Sequence, residues 1–357
     1  MICPYCLSEM EPCFALSDDE IRQMTYQARR NIGQDAVLVE FASGIHNNIA
    51  LPAQQLVLDN DIEAAKALLE TLGLEKDVVW KNGSWFYRIQ TQAGTNSRVL
   101  TKACSECHHI LPEHCEEELI LHPVMMLGLP EAGKTCSLVS LKMATESLSD
   151  YSVVNHGFSY DGKHFNSMCE KLRSGYVPDS TPNHSEAVSN RQPPLLIQHG
   201  KQLVTLTDLP GEFFLDKDGA FLDANSSILM MVPVDAATFT EDFSALMELV
   251  QTYKHRVQRF ILNFTAADKL GGESLHTFML DAAESAEAYR DLRATRRKFM
   301  MQRLTSPYRE AAKRFLDATE DGTILFTAPI GCGSMNGKLT GELNPTYMDD
   351  MLYELFC

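Results

Sequence analysis

The chain has 357 residues, enough for one large core and a smaller second domain. Its apolar content of 45% is that of a soluble globular protein, and no apolar run approaches the ~18 residues of a membrane span. A formal charge of −17 excludes a general nucleic-acid binder, whose affinity rests on cations neutralising phosphates, and disfavours anionic membranes.

The start, Met1-Ile2-Cys3-Pro4, has neither a basic flank nor a long apolar stretch, so no signal peptide is expected. The ten cysteines fit reduced thiols and metal ligands in a cytoplasmic chain better than a disulfide framework. Two pairs stand out, Cys3-Pro4-Tyr5-Cys6 and Cys104-Ser105-Glu106-Cys107. Each Cys-x-x-Cys can wrap one side of a tetrahedral Zn²⁺, so Cys3, Cys6, Cys104 and Cys107 together suit a closed structural site. The chain between them must then fold and return. Thioredoxin-like redox chemistry, separate sites and unligated buried thiols are the alternatives. Cys13, Cys115, His108, His109 and His114 are spare ligands, each read as a bystander.

The insert between the pairs reads as mixed α/β. Ser17-Asp18-Asp19-Glu20 is a capping box that predicts a helix to about Asn31, and Val37–Phe41 reads as a strand. Asn60-Asp61-Ile62-Glu63 predicts a second helix ending at Gly73. Trp85–Gln90 and Arg98–Lys102 read as strands joined through Gly94-Thr95-Asn96. Trp80, Trp85, Phe86 and Tyr87 are either a base-stacking surface or core, and the acidic setting favours core. The acidic stretch Glu113–Glu118 is the expected junction, which divides the chain into a zinc-ribbon-like module over 1–116 and a second domain over 117–357.

Beyond the junction an apolar run ends in Gly128-Leu129-Pro130-Glu131-Ala132-Gly133-Lys134-Thr135, with a helix-like segment, Cys136–Ser147, directly after it. This is Gly-x-x-x-x-Gly-Lys-Thr in the strand–loop–helix context of a phosphate-binding loop. Gly128 and Gly133 let successive N–H groups point inward, and the new helix adds its positive end. Gly128, Glu131, Ala132, Gly133, Lys134, Thr135 and Cys136 are therefore expected to hold phosphates. Lys134 would neutralise the β- and γ-phosphates, and the Thr135 hydroxyl would coordinate Mg²⁺.

Strands are predicted at Leu119–Leu127, Tyr151–Val154, Leu195–Gln198, Leu203–Thr207, Ile228–Val232, Arg259–Phe264 and Thr323–Phe326, with helices such as Glu241–His255 and Leu275–Arg303 between them. The alternation predicts an α/β fold: a three-layer P-loop NTPase with a mostly parallel sheet, preceded by the smaller α+β zinc-binding module. His199-Gly200-Lys201 predicts a hairpin and one antiparallel strand. Ligands in such sheets bind at the carboxyl ends of the strands.

Three such ends carry further signals. Asp208-Leu209-Pro210-Gly211-Glu212 follows one strand and resembles the Asp-x-x-Gly motif, with Asp208 towards Mg²⁺ and the Gly211 N–H towards the γ-phosphate. Thr265-Ala266-Ala267-Asp268 resembles the guanine motif [Asn/Thr]-Lys-x-Asp, with Ala266 standing where a lysine packs over the base. Phe326-Thr327-Ala328-Pro329 resembles the element whose backbone, at Ala328, meets the base oxygen.

In this order the motifs make the second domain resemble a P-loop GTPase of the Ras-like, translation-factor-related class, nearest the bacterial double-GTPase type. Gly175 to Thr181-Pro182 before Asp-x-Pro-Gly-Glu strengthens the likeness. The resemblance implies GTP and Mg²⁺ as ligands and Thr181 as the first switch residue on Mg²⁺ and the γ-phosphate, with Thr145, Ser174 and Ser180 as neighbours that fit the same role. It also implies Lys134, Thr181, Gly211 and Glu212 as the catalytic set. Glu212 stands where Ras-like chains place a glutamine, and its charge repels a γ-phosphate, so slow turnover is expected. The run Arg290, Arg293, Arg296, Arg297, Lys298, Arg303 is either an arginine finger or, the favoured reading, a face paired with acidic neighbours. The expected function is a GTP-dependent switch with a protein effector or regulator, in a bacterial conflict or defence system. An ATPase and a nucleotide-stabilised scaffold are the alternatives.

Overall fold

A computed structural model describes residues 2–37, 54–91, 94–112, 115, 119–128, 131–155, 160–178, 194–208, 226–235, 239–271 and 286–356. They divide into two compact units, residues 1–119 with 154–164 and 185–194, and residues 120–153 with 165–184 and 195–357. No helix among the described residues is long and apolar enough to cross a membrane.

The first unit opens with β1 (Pro12–Leu16), α1 (Asp18–Arg22) and α2 (Tyr26–Asn31). The Ser17–Glu20 capping box forms as the sequence predicts, but the single helix does not. Thr25 adopts extended backbone and its hydroxyl accepts the Ala28 N–H, so a second N-cap restarts the chain as a separate helix. Val37 has helical rather than extended backbone, and residues 38–41 lie outside the described residues. There follow β2 (Leu56–Leu58), α3 (Ile62–Leu72), β3 (Val78–Lys81), β4 (Ser84–Thr91), β5 (Gly94–Val99) and β6 (Thr101–Cys104). Asp61 caps α3 and Gly73 ends it in left-handed conformation, as predicted.

Two antiparallel sheets result, β2-β1-β6 and β3-β4-β5. Gly94 pairs with Thr91, so the expected turn at 94–96 is strand instead. Trp85 and Tyr87 alternate inward into a core with Leu16, Ile21, Leu58 and Leu69. Trp80 packs edge-on against Trp85 with ring centroids 5.4 Å apart. Trp80, Trp85 and Tyr87 therefore serve the core, whereas Phe86, on the other face of β4, is half-buried.

The second unit is an α/β layer structure. Its elements are β7 (Ile120–Gly128), α4 (Lys134–Thr145), β8 (Ser152–Val153), α5 (Tyr160–Arg173, whose first residues fall in the other unit), β9 (Leu195–His199), β10 (Gln202–Asp208) and β11 (Ser227–Pro233). They continue with α6 (Phe239–Tyr253), β12 (Arg259–Thr265), α7 (Asp268–Gly271), α8 (Ala286–Arg303), α9 (Ser306–Ala318), β13 (Thr323–Phe326), the hairpin β14 (Ser334–Met335) and β15 (Lys338–Leu339), and α10 (Met348–Leu355). Seven strands order as β13-β12-β11-β7-β10-β9-β8. The five from β13 to β10 are parallel, and β9 returns antiparallel beside β10 through the predicted hairpin. All seven residues of β11 are buried, as a strand covered on both faces requires.

The order explains where a ligand would sit. The chain leaves β7 for the strands on one side, ending in β10, and then crosses from β10 to β11 on the other side of β7. A crevice opens at such a reversal, at the carboxyl end of β7.

Candidate functional site

Residues 129 and 130 lie outside the described residues, but both anchors of the phosphate loop are defined. A Cβ on Gly128 would lie 2.6 Å from the Met231 carbonyl oxygen on β11, so only glycine lets the two strands stay paired there. Gly133 sits at φ 75° and starts α4 without a side-chain cap. The positive end of α4 therefore faces the loop, where an anion is favoured. Ala132 is buried, and Glu131 holds the loop in left-handed backbone at φ 60°. Lys134 Nζ reaches back to the Gly128 carbonyl at 3.5 Å.

The register of β10 on β7 sets Asp208 opposite Met126, two residues before Gly128. From there its carboxylate accepts the Thr135 hydroxyl at 3.1 Å, with both side chains buried. Cys136 lies beside this pair, and burial followed by the Asp208 charge pushes its thiol up to about 11. A thiol held protonated in this way is a poor nucleophile.

At the other end of the crevice, Ala266 takes left-handed backbone at φ 55° and turns β12 into α7, which begins at Asp268. Asp268 is half-buried, and desolvation raises its carboxyl above the usual range. The neighbouring Lys269 pairs with Asp235. Thr265 is buried within β12's end, its carbonyl accepting the Val234 N–H at 3.1 Å.

The loop after β13 is tied to the same place: Ala267 N–H donates to the Thr327 carbonyl at 3.1 Å, and Thr327 N–H to that of Phe264 at 2.9 Å. The Asn263 amide donates to Thr327 Oγ1 at 2.8 Å from the interior of β12. This positioning residue was missed from sequence, although an amide inside Phe260-Ile261-Leu262-Asn263-Phe264 is the signal that marks it. Ser140 on α4 donates to the Pro329 carbonyl, linking the phosphate-loop helix to this loop. Ala328 is buried, and its N–H already donates to the Thr346 carbonyl at 3.0 Å. A base oxygen could take that donor only by opening the pair.

Thr181, Gly211 and Glu212 lie outside the described residues. Within the basic run, Arg293 and Arg296 are engaged by Asp349, Asp350 and Glu354 of α10, which is the paired-face reading.

In the first unit the four sulfurs of Cys3, Cys6, Cys104 and Cys107 all lie within 4.8 Å of one another. The two halves repeat one turn. Leu7 N–H donates to the Cys3 carbonyl at 2.9 Å and His108 N–H to that of Cys104 at 3.0 Å. Leu7 and His108 both take left-handed backbone, at φ 60° and 58°. Tyr5 N–H points at Cys3 Sγ and Glu106 N–H at Cys104 Sγ, each at 3.3 Å.

The cluster fits zinc. A tetrahedron with Zn–S of ~2.3 Å has sulfur–sulfur edges of about 3.8 Å. Cys3–Cys107 and Cys6–Cys104 are each 3.8 Å apart. Hydrogen bonding, first from Cys107 and then from Cys3, lowers the Cys104 thiol below its ordinary range. Three of the spare ligands are engaged elsewhere, and Cys115 is not one of the clustered sulfurs. His108 pairs with Asp35 at 2.8 Å, His109 stacks on Tyr5, and Cys13 donates to the Ala103 carbonyl. His114 lies outside the described residues.

A family model described as Double-GTPase 2 matches residues 122–270. That span begins in β7, ends in α7, and carries the phosphate loop, Asp208 and Asp268. No curated protein matches the chain. Among solved structures, the G domain of the T. maritima FeoB iron transporter is 14% identical, with 66% of this chain and 98% of that one covered and a TM-score of 0.29. Translation elongation factor SelB from Methanococcus maripaludis, in its apo form, is 11% identical, with 59% of this chain and 30% of that one covered and a TM-score of 0.27.

Proposed function

We propose that this chain is a GTP-binding switch that hydrolyses its nucleotide slowly, a reading supported by the Double-GTPase 2 match over residues 122–270. The observation that carries this reading is the meeting of Thr135 and Asp208 at the mouth of the phosphate loop. A hydroxyl from the loop and a carboxylate from the neighbouring strand are the two protein groups that would hold Mg²⁺. Bound there, the ion would neutralise charge building on the phosphates. Lys134 would supply the facing cation, and the positive end of α4 would complete the cradle.

Asp268 supports guanine as the base. An ionised carboxylate accepts two N–H bonds from the guanine edge, whereas adenine's edge has no matching pair of donors. The lysine absent at position 266 is the feature that favours the ATPase alternative. Thr181, Gly211 and Glu212 remain the residues expected to meet the γ-phosphate, with Glu212 the reason turnover should be slow.

The cysteine cluster would hold one structural Zn²⁺ and fix the fold of the N-terminal module, which would face a protein effector or regulator. A cytoplasmic role in a bacterial conflict or defence system fits the double-GTPase likeness. Direct titration of the purified chain with GTP and ATP at equal Mg²⁺ tests the proposal. Preference for GTP, abolished by Lys134→Ala, supports it; preference for ATP transfers the site to the alternative.

A further inference from the structure

Residues 328–346 leave the base-side loop and return to it as one zipped arm. At the root Ala328 and Thr346 exchange two backbone hydrogen bonds, of 3.0 and 2.8 Å. Further out, Asn344 N–H donates to the Ile330 carbonyl at 3.0 Å and Thr340 N–H to that of Gly333 at 2.9 Å. The strands β14 and β15 then pair Ser334 with Leu339 and Met335 with Lys338. Asn336-Gly337 closes the tip as a primed two-residue turn, at φ 52° and 73°.

The tip is docked. Val177 N–H donates to the Gly337 carbonyl and Leu339 N–H to that of Gly175, both at 2.9 Å. Tyr176 lies opposite Lys338, whose ammonium stands 5.4 Å from the Tyr176 ring centroid. Gly175 to Val177 thus lie along the hairpin through one antiparallel bridge. Thr181, the expected γ-phosphate residue, follows Val177 by four positions.

We propose that the arm couples the base-side loop to the chain that leads into the phosphate-sensing segment. The coupling rests on the nucleotide reading above. Two features support it. The arm is joined by main-chain bonds at root, middle and tip, so a shift at Ala328 is carried along a register and not lost in rotatable side chains. The Ala328 N–H is committed to Thr346, so a base oxygen that recruits this donor loosens the root. That gives the base a differential effect on the two ends, which a ligand-driven shift requires.

The test uses the full chain with Ser334–Leu339 replaced by Asn-Gly. Gly333 and Thr340 are already hydrogen-bonded, so a two-residue turn closes the shortened arm there and leaves the root intact. GDP and GTP affinities are measured by titration with Mg²⁺. The expected result is GDP affinity within about twofold of the unmodified chain and a GTP-over-GDP ratio changed by roughly tenfold, a coupling of ordinary size. Lys338→Ala, which leaves the backbone pairs in place, should change the ratio less. An unchanged ratio overturns the coupling, as does an equal loss for both nucleotides, which marks the arm as structural support alone. Failure of the unmodified chain to bind either nucleotide overturns the functional reading itself, and the coupling with it.

Discussion

Thr135 and Asp208, 73 positions apart, meet at 3.1 Å because β10 runs parallel to β7 in a register that ends β10 opposite Met126, two residues short of the end of β7. The loop that follows β7 places a hydroxyl there, and the end of β10 places a carboxylate. Thr135→Val keeps the size of the side chain and removes the hydroxyl. It should weaken GTP binding in Mg²⁺ while leaving binding in excess chelator nearly unchanged. Equal weakening in both conditions would assign Thr135 a role other than metal coordination.

Lys134→Ala removes the cation expected to face the β/γ-oxygens and leaves the loop's backbone in place. Triphosphate binding should become roughly 100-fold weaker or more, with the fold retained by circular dichroism. Unchanged affinity in a folded variant would sink the assignment of the loop.

The purified chain should carry a single Zn²⁺. Cys3→Ser and Cys104→Ser should each release it and loosen the N-terminal module, because the four sulfurs form one cluster drawn from both ends of the unit. Metal analysis with limited proteolysis reads both effects. Two ions lost independently, or none present, contradict a shared site.

Asp268→Asn should shift preference from guanine towards xanthine, since an amide can donate where the carboxylate accepted. The wild-type chain should also lose GTP affinity on acidification. Only the ionised carboxylate accepts from the base, and burial raises the Asp268 carboxyl, so the competent form disappears at a higher pH than for an exposed aspartate. Affinity is therefore full above the raised value and falls as pH drops through it. Titrations across that window should show a step in wild type that is missing in Asp268→Asn. Identical profiles would remove Asp268 from the base.

Arg296 is almost fully buried on α8 and meets Asp350 at 2.8 Å and Asp349 at 3.0 Å on α10. Arg296→Met takes the cation from Asp349 and leaves Asp350 with Arg293 alone, and should cost roughly 2–3 kcal/mol, read from the urea midpoint. Arg290→Ala, on an exposed position of the same helix, should stay within ~0.5 kcal/mol. Similar small losses for both would show that the α8–α10 pairing adds little.

Local signals carried much of this protein. Gly-x-x-x-x-Gly-Lys-Thr after an apolar run marked the phosphate loop, because the residue types that let a backbone cradle an anion are few and their spacing is fixed by one turn. Apolar runs marked the strands of the large sheet, most clearly the central ones such as β11, since a strand buried on both faces must be apolar throughout. The two Cys-x-x-Cys pairs each announced half of a ligand set.

Relations between distant segments were decided by the tertiary structure. Helix 17–31 broke at Thr25 because a local hydroxyl cap outweighed continuation of the helix. Short strands such as β1, β2 and β3 went unread, for they exist through their partners across the sheet. The return of Cys104 and Cys107 to Cys3 and Cys6 depends on β6 pairing with β1. Asn263 beneath the base-side loop, and the arm from Ala328 to Gly175, depend on hydrogen bonds between main-chain and side-chain groups many positions apart. A sequence lists such donors and acceptors without saying which will meet. Only the packing of sheet and loops chooses among them, since each buried polar group must find a partner in three dimensions.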